Sequence, residues 1–208
     1  MAKYLNEFLG TFFLSLAIIT SLLILDMGNY QPFVIGTILV GLIYGDRKIS
    51  GAHYNPAVTI GFWMRGRCPL PQALGYIAVQ LLAGMLSAVI LLYFGHFKIT
   101  QQLDLMPMSI AEVLGTIILV YVILFVATAK ATEGNSYYGL VIGYTVTLCA
   151  YSFGDFGSYG CFNPAVALAT LLTGINTFSN FIVIVLSNIT GGVIAAFLFH
   201  KVYPKSNS

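Results

Sequence analysis

Apolar residues run in long stretches along the chain, separated by short clusters of Gly, Pro, Asn and charged residues. Six stretches, at 5–26, 32–45, 72–95, 109–130, 137–154 and 178–200, read as helices that cross a membrane. Two shorter ones, 55–64 and 163–173, do not fit that pattern. At about 1.5 Å per residue each reaches only about 15 Å as a helix, half of the roughly 30 Å hydrocarbon layer. Both open with Asn-Pro, at Asn55-Pro56 and Asn163-Pro164. Asn is a favoured N-cap, and Pro suits the first helical position, where its missing N–H would be unpaired anyway. The pattern therefore predicts two re-entrant half-helices. The segments before them, 49–54 and 154–160, are glycine-rich and polar, so they must be buried in protein or line a cavity rather than face lipid.

Composition agrees with this reading. Of 208 residues 58% are hydrophobic and only 8% charged, against about 25% charged in soluble domains; mean hydropathy is +0.89. The chain has room for about six spans and short loops, so a single transmembrane domain covering 1–208 is predicted, without a second domain.

Charge adds the orientation. With a cytoplasmic N-terminus, Lys3, Arg47, Lys48, Arg65, Arg67, Lys130, Lys201 and Lys205 fall inside and only Lys98 outside, as the positive-inside rule requires. An even number of spans puts both termini in the cytoplasm. A net charge of +2 spread over short loops indicates no nucleic-acid surface and no polybasic lipid clamp. The first apolar helix follows Lys3 directly and lacks a small-residue cleavage site, so it is expected to stay, and with no targeting segment a plasma or inner membrane is the default. Cys68, Cys149 and Cys161 match no metal spacing and fit packing better than a disulfide framework. No cofactor or metal is implied. Nor does any intramembrane set of His, Ser and Asp follow nucleophile-and-base logic, so an enzyme is not expected.

The chain also repeats itself. Glu7-Phe8-Leu9-Gly10-Thr11 returns as Glu112-Val113-Leu114-Gly115-Thr116, Val34-Ile35-Gly36 as Val141-Ile142-Gly143, and Asn55-Pro56-Ala57-Val58 as Asn163-Pro164-Ala165-Val166. Repeats near 1–98 and 106–203 each hold three spans. An odd number forces the second repeat to enter from the opposite side, so the halves are inverted and their half-helices dip in from opposite faces to meet near the midplane. Alone, either Asn-Pro-Ala would read as an ordinary helix cap; two in register after Gly-rich loops mark a transport site. Two half-helix N-termini at the midplane put positive dipole ends there, and the Asn55 and Asn163 amides offer donors to a passing oxygen. Cations and protons are disfavoured at such a centre, whereas a neutral solute with a lone pair can pass.

On Glu7-Phe8-Leu9-Gly10-Thr11, the run from Ile49 to Thr59, Glu112 and Asn163-Pro164-Ala165, the whole chain resembles the major intrinsic proteins, the aquaporin family. The resemblance implies an all-α, right-handed bundle of six transmembrane helices and two re-entrant half-helices, with one pore per subunit in a homotetramer. It implies too that Glu7 and Glu112 each accept hydrogen bonds from the backbone of their own repeat's re-entrant loop. Acids inside spans rarely face lipid and need partners; a proton relay is the alternative role. Gly84, Gly191 and Gly192 fall at matching points of the third and sixth spans and read as close helix contacts.

The chain departs from the family where most members place Arg after the second Asn-Pro-Ala, since it carries Val166. Aligned without gaps, the other three filter positions implied by the resemblance are Ile35, Tyr151 and Gly160. This set has no fixed charge and one hydrogen-bonding side chain, which points to a widened filter passing water with small neutral solutes such as ammonia, urea or peroxide. Val at this position is found among plant tonoplast members of the family, and Ala167 stands where glycerol facilitators resemble one another in carrying Asp. Ile35 or Tyr151 could instead block the pore. The competing readings on the same fold are an ion-conducting or gated channel, and a non-transporting scaffold. His53 reads as a hydrogen-bonded loop residue near the pore entrance, with pH sensing the sharper alternative. Cys161 either faces the pore or packs as an inert thiol. Asp155 reads as loop-structuring. Tyr30, Tyr93, Phe94, Phe97, Tyr137, Tyr138 and Tyr203 read as an interfacial belt.

Overall fold

The computed structural model describes residues 1–23, 30–95, 103–154 and 160–204. Eight α-helices are formed among them and no strand: α1 (Ala2–Leu23), α2 (Gln31–Ser50), α3 (Pro56–Arg65), α4 (Leu70–Phe94), α5 (Leu105–Thr128), α6 (Tyr138–Gly154), α7 (Pro164–Leu172) and α8 (Phe178–Val202). A short 3₁₀ turn, Lys130–Thr132, links α5 to α6.

Four helices, α1, α4, α5 and α8, are long and apolar enough to cross a membrane on their own composition. The other two expected spans, α2 and α6, are built differently. The span expected at 32–45 continues through Asp46, Arg47 and Lys48 to Ser50, so a charged cluster and part of the loop expected at 49–54 belong to the helix. Arg47 and Lys48 sit in its last turn, where cations oppose the negative dipole end. Gly51, at φ 98°, then stops it with an N–H bond to the Arg47 carbonyl. For α6, 17 residues suffice because it is buried against α2. At their crossing a β-carbon on Gly36 would lie 2.6 Å from the Gly143 carbonyl oxygen, and one on Gly143 2.6 Å from the Gly36 carbonyl oxygen. Only glycine lets the two backbones come this close.

The inverted repeat appears in the packing. α1 packs on α4 and α2 as α5 packs on α8 and α6, while each half-helix packs on the last helix of the other repeat, α3 on α8 and α7 on α4. The glycines expected to allow close approach do so: added β-carbons would lie 2.4 Å from the Ala165 carbonyl oxygen at Gly84, 2.8 Å from that of Ala57 at Gly192, and 2.8 Å from that of Val113 at Gly191. Most buried apolar side chains form one cluster between the halves, around Leu119, Ile123, Ile142 and Phe162. All three cysteines are buried and free.

Candidate functional site

The half-helices begin as their Asn-Pro pairs dictate. Asn55 and Asn163 are extended N-caps whose side-chain oxygens accept from Ala57 N at 2.8 Å and Ala165 N at 3.0 Å, with Pro56 and Pro164 opening the helices. α3 and α7 touch each other. The two amides also lock the repeats together: Asn55 Nδ2 donates to the Phe162 carbonyl at 2.7 Å, and Asn163 Nδ2 to the Tyr54 carbonyl at 2.9 Å. An amide carries two N–H donors. One on each Asn is committed to the opposite loop, leaving a second for the cavity that both residues line.

That arrangement bends the backbone into unfavourable regions. Tyr54 (φ 50°) and Phe162 (φ 44°) precede the two Asn residues, and Ala52 (φ 54°) matches Gly160 (φ 61°) two positions earlier. Non-glycine residues held there cost about 1–3 kcal/mol each and persist only where their surroundings over-determine them. The buried acids supply the restraint. Glu7 accepts from His53 N at 2.9 Å, Tyr54 N at 2.7 Å, Ser50 Oγ at 2.6 Å and Gln80 Nε2 at 2.8 Å. Glu112 accepts from Cys161 N at 2.9 Å, Phe162 N at 2.8 Å and Asn188 Nδ2 at 2.7 Å. Gln80 and Asn188 went unnoticed in the sequence, although two amides inside apolar spans, separated by the same 108 residues as Asn55 and Asn163, were a usable signal. Gly10 and Gly115 complete each brace, since a β-carbon there would lie 2.0 Å from the Tyr54 ring and 2.1 Å from the Phe162 ring.

A narrow cavity of about 40 Å³ runs through this junction. That is room for about three waters, at about 10–15 Å³ each by the same measure. Its walls are chiefly aliphatic, including Leu14, Ile18, Leu39, Ile43, Leu119 and Ile123, and the described polar residues that line it are Asn55, Asn163 and His53, with Cys161 beside them. Among the described residues no carboxylate, guanidinium or ammonium lines it.

Three of the four expected filter residues, Ile35, Gly160 and Val166, line the cavity; Tyr151 does not. Tyr151 is 41% exposed. The inward face of α6 runs through Ile142 and Val146, and one more turn on the same face brings Ala150, not Tyr151, beside Gly160, its Cα 3.5 Å from where a Gly160 β-carbon would sit. On this helix, then, it is Ala150 rather than Tyr151 that stands beside Gly160.

His53 is packed as well as hydrogen-bonded. Its ring stacks on Phe62 at 4.2 Å, and Nδ1 lies 3.2 Å from Thr59 Oγ1. Cys161 lines the cavity and is 8% exposed. Tyr138, expected in an interfacial belt, is instead buried, with the Arg47 guanidinium 3.9 Å over its ring. Tyr30, Tyr93, Phe94 and Tyr137 are exposed. Tyr203 is half-buried, its ring stacked on Phe199 at 4.8 Å. Asp155, Phe97, Lys98 and Lys205 lie outside the described residues.

Comparison with known proteins gives a consistent picture. Residues 1–199 match the major intrinsic protein family. An aquaporin of Arabidopsis thaliana, NIP3-1, is 31% identical over 82% of this chain, and the match spans 58% of that protein's length. Aquaporin NIP1-1 of Zea mays is 31% identical over 96% of this chain and 74% of its own. A probable glycerol uptake facilitator protein of Thermotoga maritima is 28% identical over 98% of this chain and all of its own length. Among solved structures, the aquaglyceroporin of Plasmodium falciparum superposes with a TM-score of 0.79, covering 97% of this chain and 96% of that one at 23% identity, which establishes a shared fold.

Proposed function

Because this chain belongs to the major intrinsic proteins, a family of passive membrane channels for water and small solutes rather than enzymes, we propose that it conducts water together with small neutral solutes such as ammonia, urea or peroxide. The observation that carries the proposal is the cavity at the half-helix junction, lined by the two Asn caps and aliphatic walls and, among the described residues, by no charged side chain. Its outer filter is Ile35, Ala150, Gly160 and Val166. Where an Arg would contribute a fixed positive charge and five N–H donors, Val166 contributes neither, so selection rests on width and on the cost of stripping hydration. Relatives named both as aquaporins and as a probable glycerol uptake facilitator fit that range of solutes. Ala167 makes a standard glycerol facilitator the poorer fit.

An ion path is the weaker reading, because among the described residues no ring of like-charged side chains lines the cavity. The distribution of Lys and Arg supports cytoplasmic termini in a plasma or inner membrane, and the family resemblance supports a homotetramer.

The test is stopped-flow light scattering on proteoliposomes, comparing osmotic water flux with urea, glycerol and ammonium gradients, for the native chain and Val166→Arg. The expected result is water flux well above empty liposomes, with solute flux that Val166→Arg suppresses. Flux no greater than that of empty liposomes overturns the proposal, and a steady ionic conductance in planar bilayers would transfer the pore to the ion-channel reading.

A further inference from the structure

A second, wider cavity of about 580 Å³ opens at one end of the bundle. Three cations converge on it from three separate elements: Arg47 from the last turn of α2, Arg67 from the loop after α3, and Lys130 from the 3₁₀ turn after α5. A single acid, Glu133, shares its wall, and among the described residues it pairs with none of the three. Phe62 also lines this cavity, and the same ring stacks on His53, which lines the narrow one. Through this ring pair the wide cavity adjoins the narrow one, at the position a pore mouth would take.

The positive-inside rule explains why basic side chains lie on this face. It does not explain why three of them surround one concavity whose wall holds, among the described residues, the single acid Glu133. Nor does transport of a neutral solute need them. Arg47 is held in place by the Tyr138 ring 3.9 Å below its guanidinium, so one fork of donors is fixed before anything binds. A concave site with low-dielectric walls and one sign of charge concentrates ions of the opposite sign. Guanidinium groups match the paired oxygens of phosphate in particular.

We propose that this mouth binds a soluble multivalent oxyanion of the phosphate class, held by Arg47, Arg67 and Lys130, and that the bound anion obstructs the pore. The site does not depend on what the pore conducts; the obstruction rests on the channel reading above. The volume accommodates a phosphorylated small molecule, whereas the pore, with about 40 Å³ and aliphatic walls, excludes it.

Two measurements on the full-length chain test this, with inorganic pyrophosphate as the probe and sodium chloride as the control at matched ionic strength. Isothermal titration in detergent reads binding. Stopped-flow water flux in phosphatidylcholine vesicles, with the probe on both sides, reads obstruction. Pyrophosphate is expected to bind, more weakly as salt rises, and to slow flux several-fold. Arg67→Gln and Lys130→Gln should each weaken binding several-fold and relieve the inhibition, judged as the ratio of flux with and without probe in each variant. Lys201→Gln, which changes an exposed charge that does not line the mouth, should keep it. No binding, or binding unaffected by Arg67→Gln and Lys130→Gln, overturns the site. Binding with full flux overturns the obstruction alone, and binding to a protein that conducts nothing leaves the site standing while removing the channel reading. If vesicles containing phosphatidylglycerol are inhibited without added pyrophosphate, the ligand is a lipid headgroup and the soluble-anion assignment fails.

Discussion

At the scale of single residues, the two buried acids do more than fill space. Glu7 receives four hydrogen bonds from three elements around a loop that contains two non-glycine residues at positive φ. Glu7→Ala removes every one of these acceptors at once. An orphaned buried donor costs about 1–3 kcal/mol, so a large drop in the thermal unfolding midpoint in detergent is expected, with Glu7→Gln intermediate because it keeps one acceptor oxygen. A midpoint within a degree or two of the native one would show that the loop is held by something else. Cys161 gives a second residue-scale prediction. Because Cys161 is among the residues that line the narrow cavity, a mercurial is expected to block flux in the native chain, and Cys161→Ser to resist it; block that Cys161→Ser leaves unchanged would show that the thiol packs away from the pore. The Asn caps and both acids were legible from residue type and repeat spacing. That Ala150 rather than Tyr151 stands beside Gly160 was not, because counting along the chain does not say which face of α6 a residue presents.

At the scale of elements, glycines separate into those that backbones need and those they do not. A β-carbon on Gly84 would sit 2.4 Å from a carbonyl oxygen of α7, which has no freedom to give way, whereas one on Gly41 meets nothing within 4 Å. Gly84→Ala should therefore push α4 off α7, costing about 1–3 kcal/mol as overpacking does and reducing flux. Gly41→Ala should be neutral, or stabilising by about 0.5–1 kcal/mol through helix propensity. Parallel unfolding curves check this; equal behaviour of the two variants would refute it. Six spans and two half-helices were visible in the hydrophobic pattern because each is bounded by Pro, Gly or Asn. The end of α2 was not, since Asp46, Arg47 and Lys48 look like loop until their place on the last helical turn is seen.

At the scale of the whole molecule, the pairing of contacts between repeats follows from duplication and inversion, and three short matched motifs were enough to reveal it. What could not be read was which helix of one repeat receives the half-helix of the other, because the deciding contacts are glycine against backbone, and a glycine in an apolar run looks the same whether its surroundings are crowded or open. The proposed orientation makes its own prediction. Epitope tags at the two ends should both be cleaved by protease added to inside-out vesicles and both be protected in right-side-out ones; one tag cleaved in each preparation would break the even-span topology.

The seat of α3 has a consequence for how the protein is made. Its first turn rests against Gly192, with the Ala57 carbonyl 2.8 Å from where a β-carbon would be, and its cap is tied to the Phe162 carbonyl. Both partners are translated more than 100 residues after Asn55. At about 5–20 residues per second, the first half-helix is synthesised on the order of ten seconds before its resting place exists. During that interval the Asn55 cap on Ala57 N can form within the first repeat, but the Asn55 Nδ2 donor lacks its Phe162 acceptor, so the first half-helix waits for its final seat until the last helix arrives.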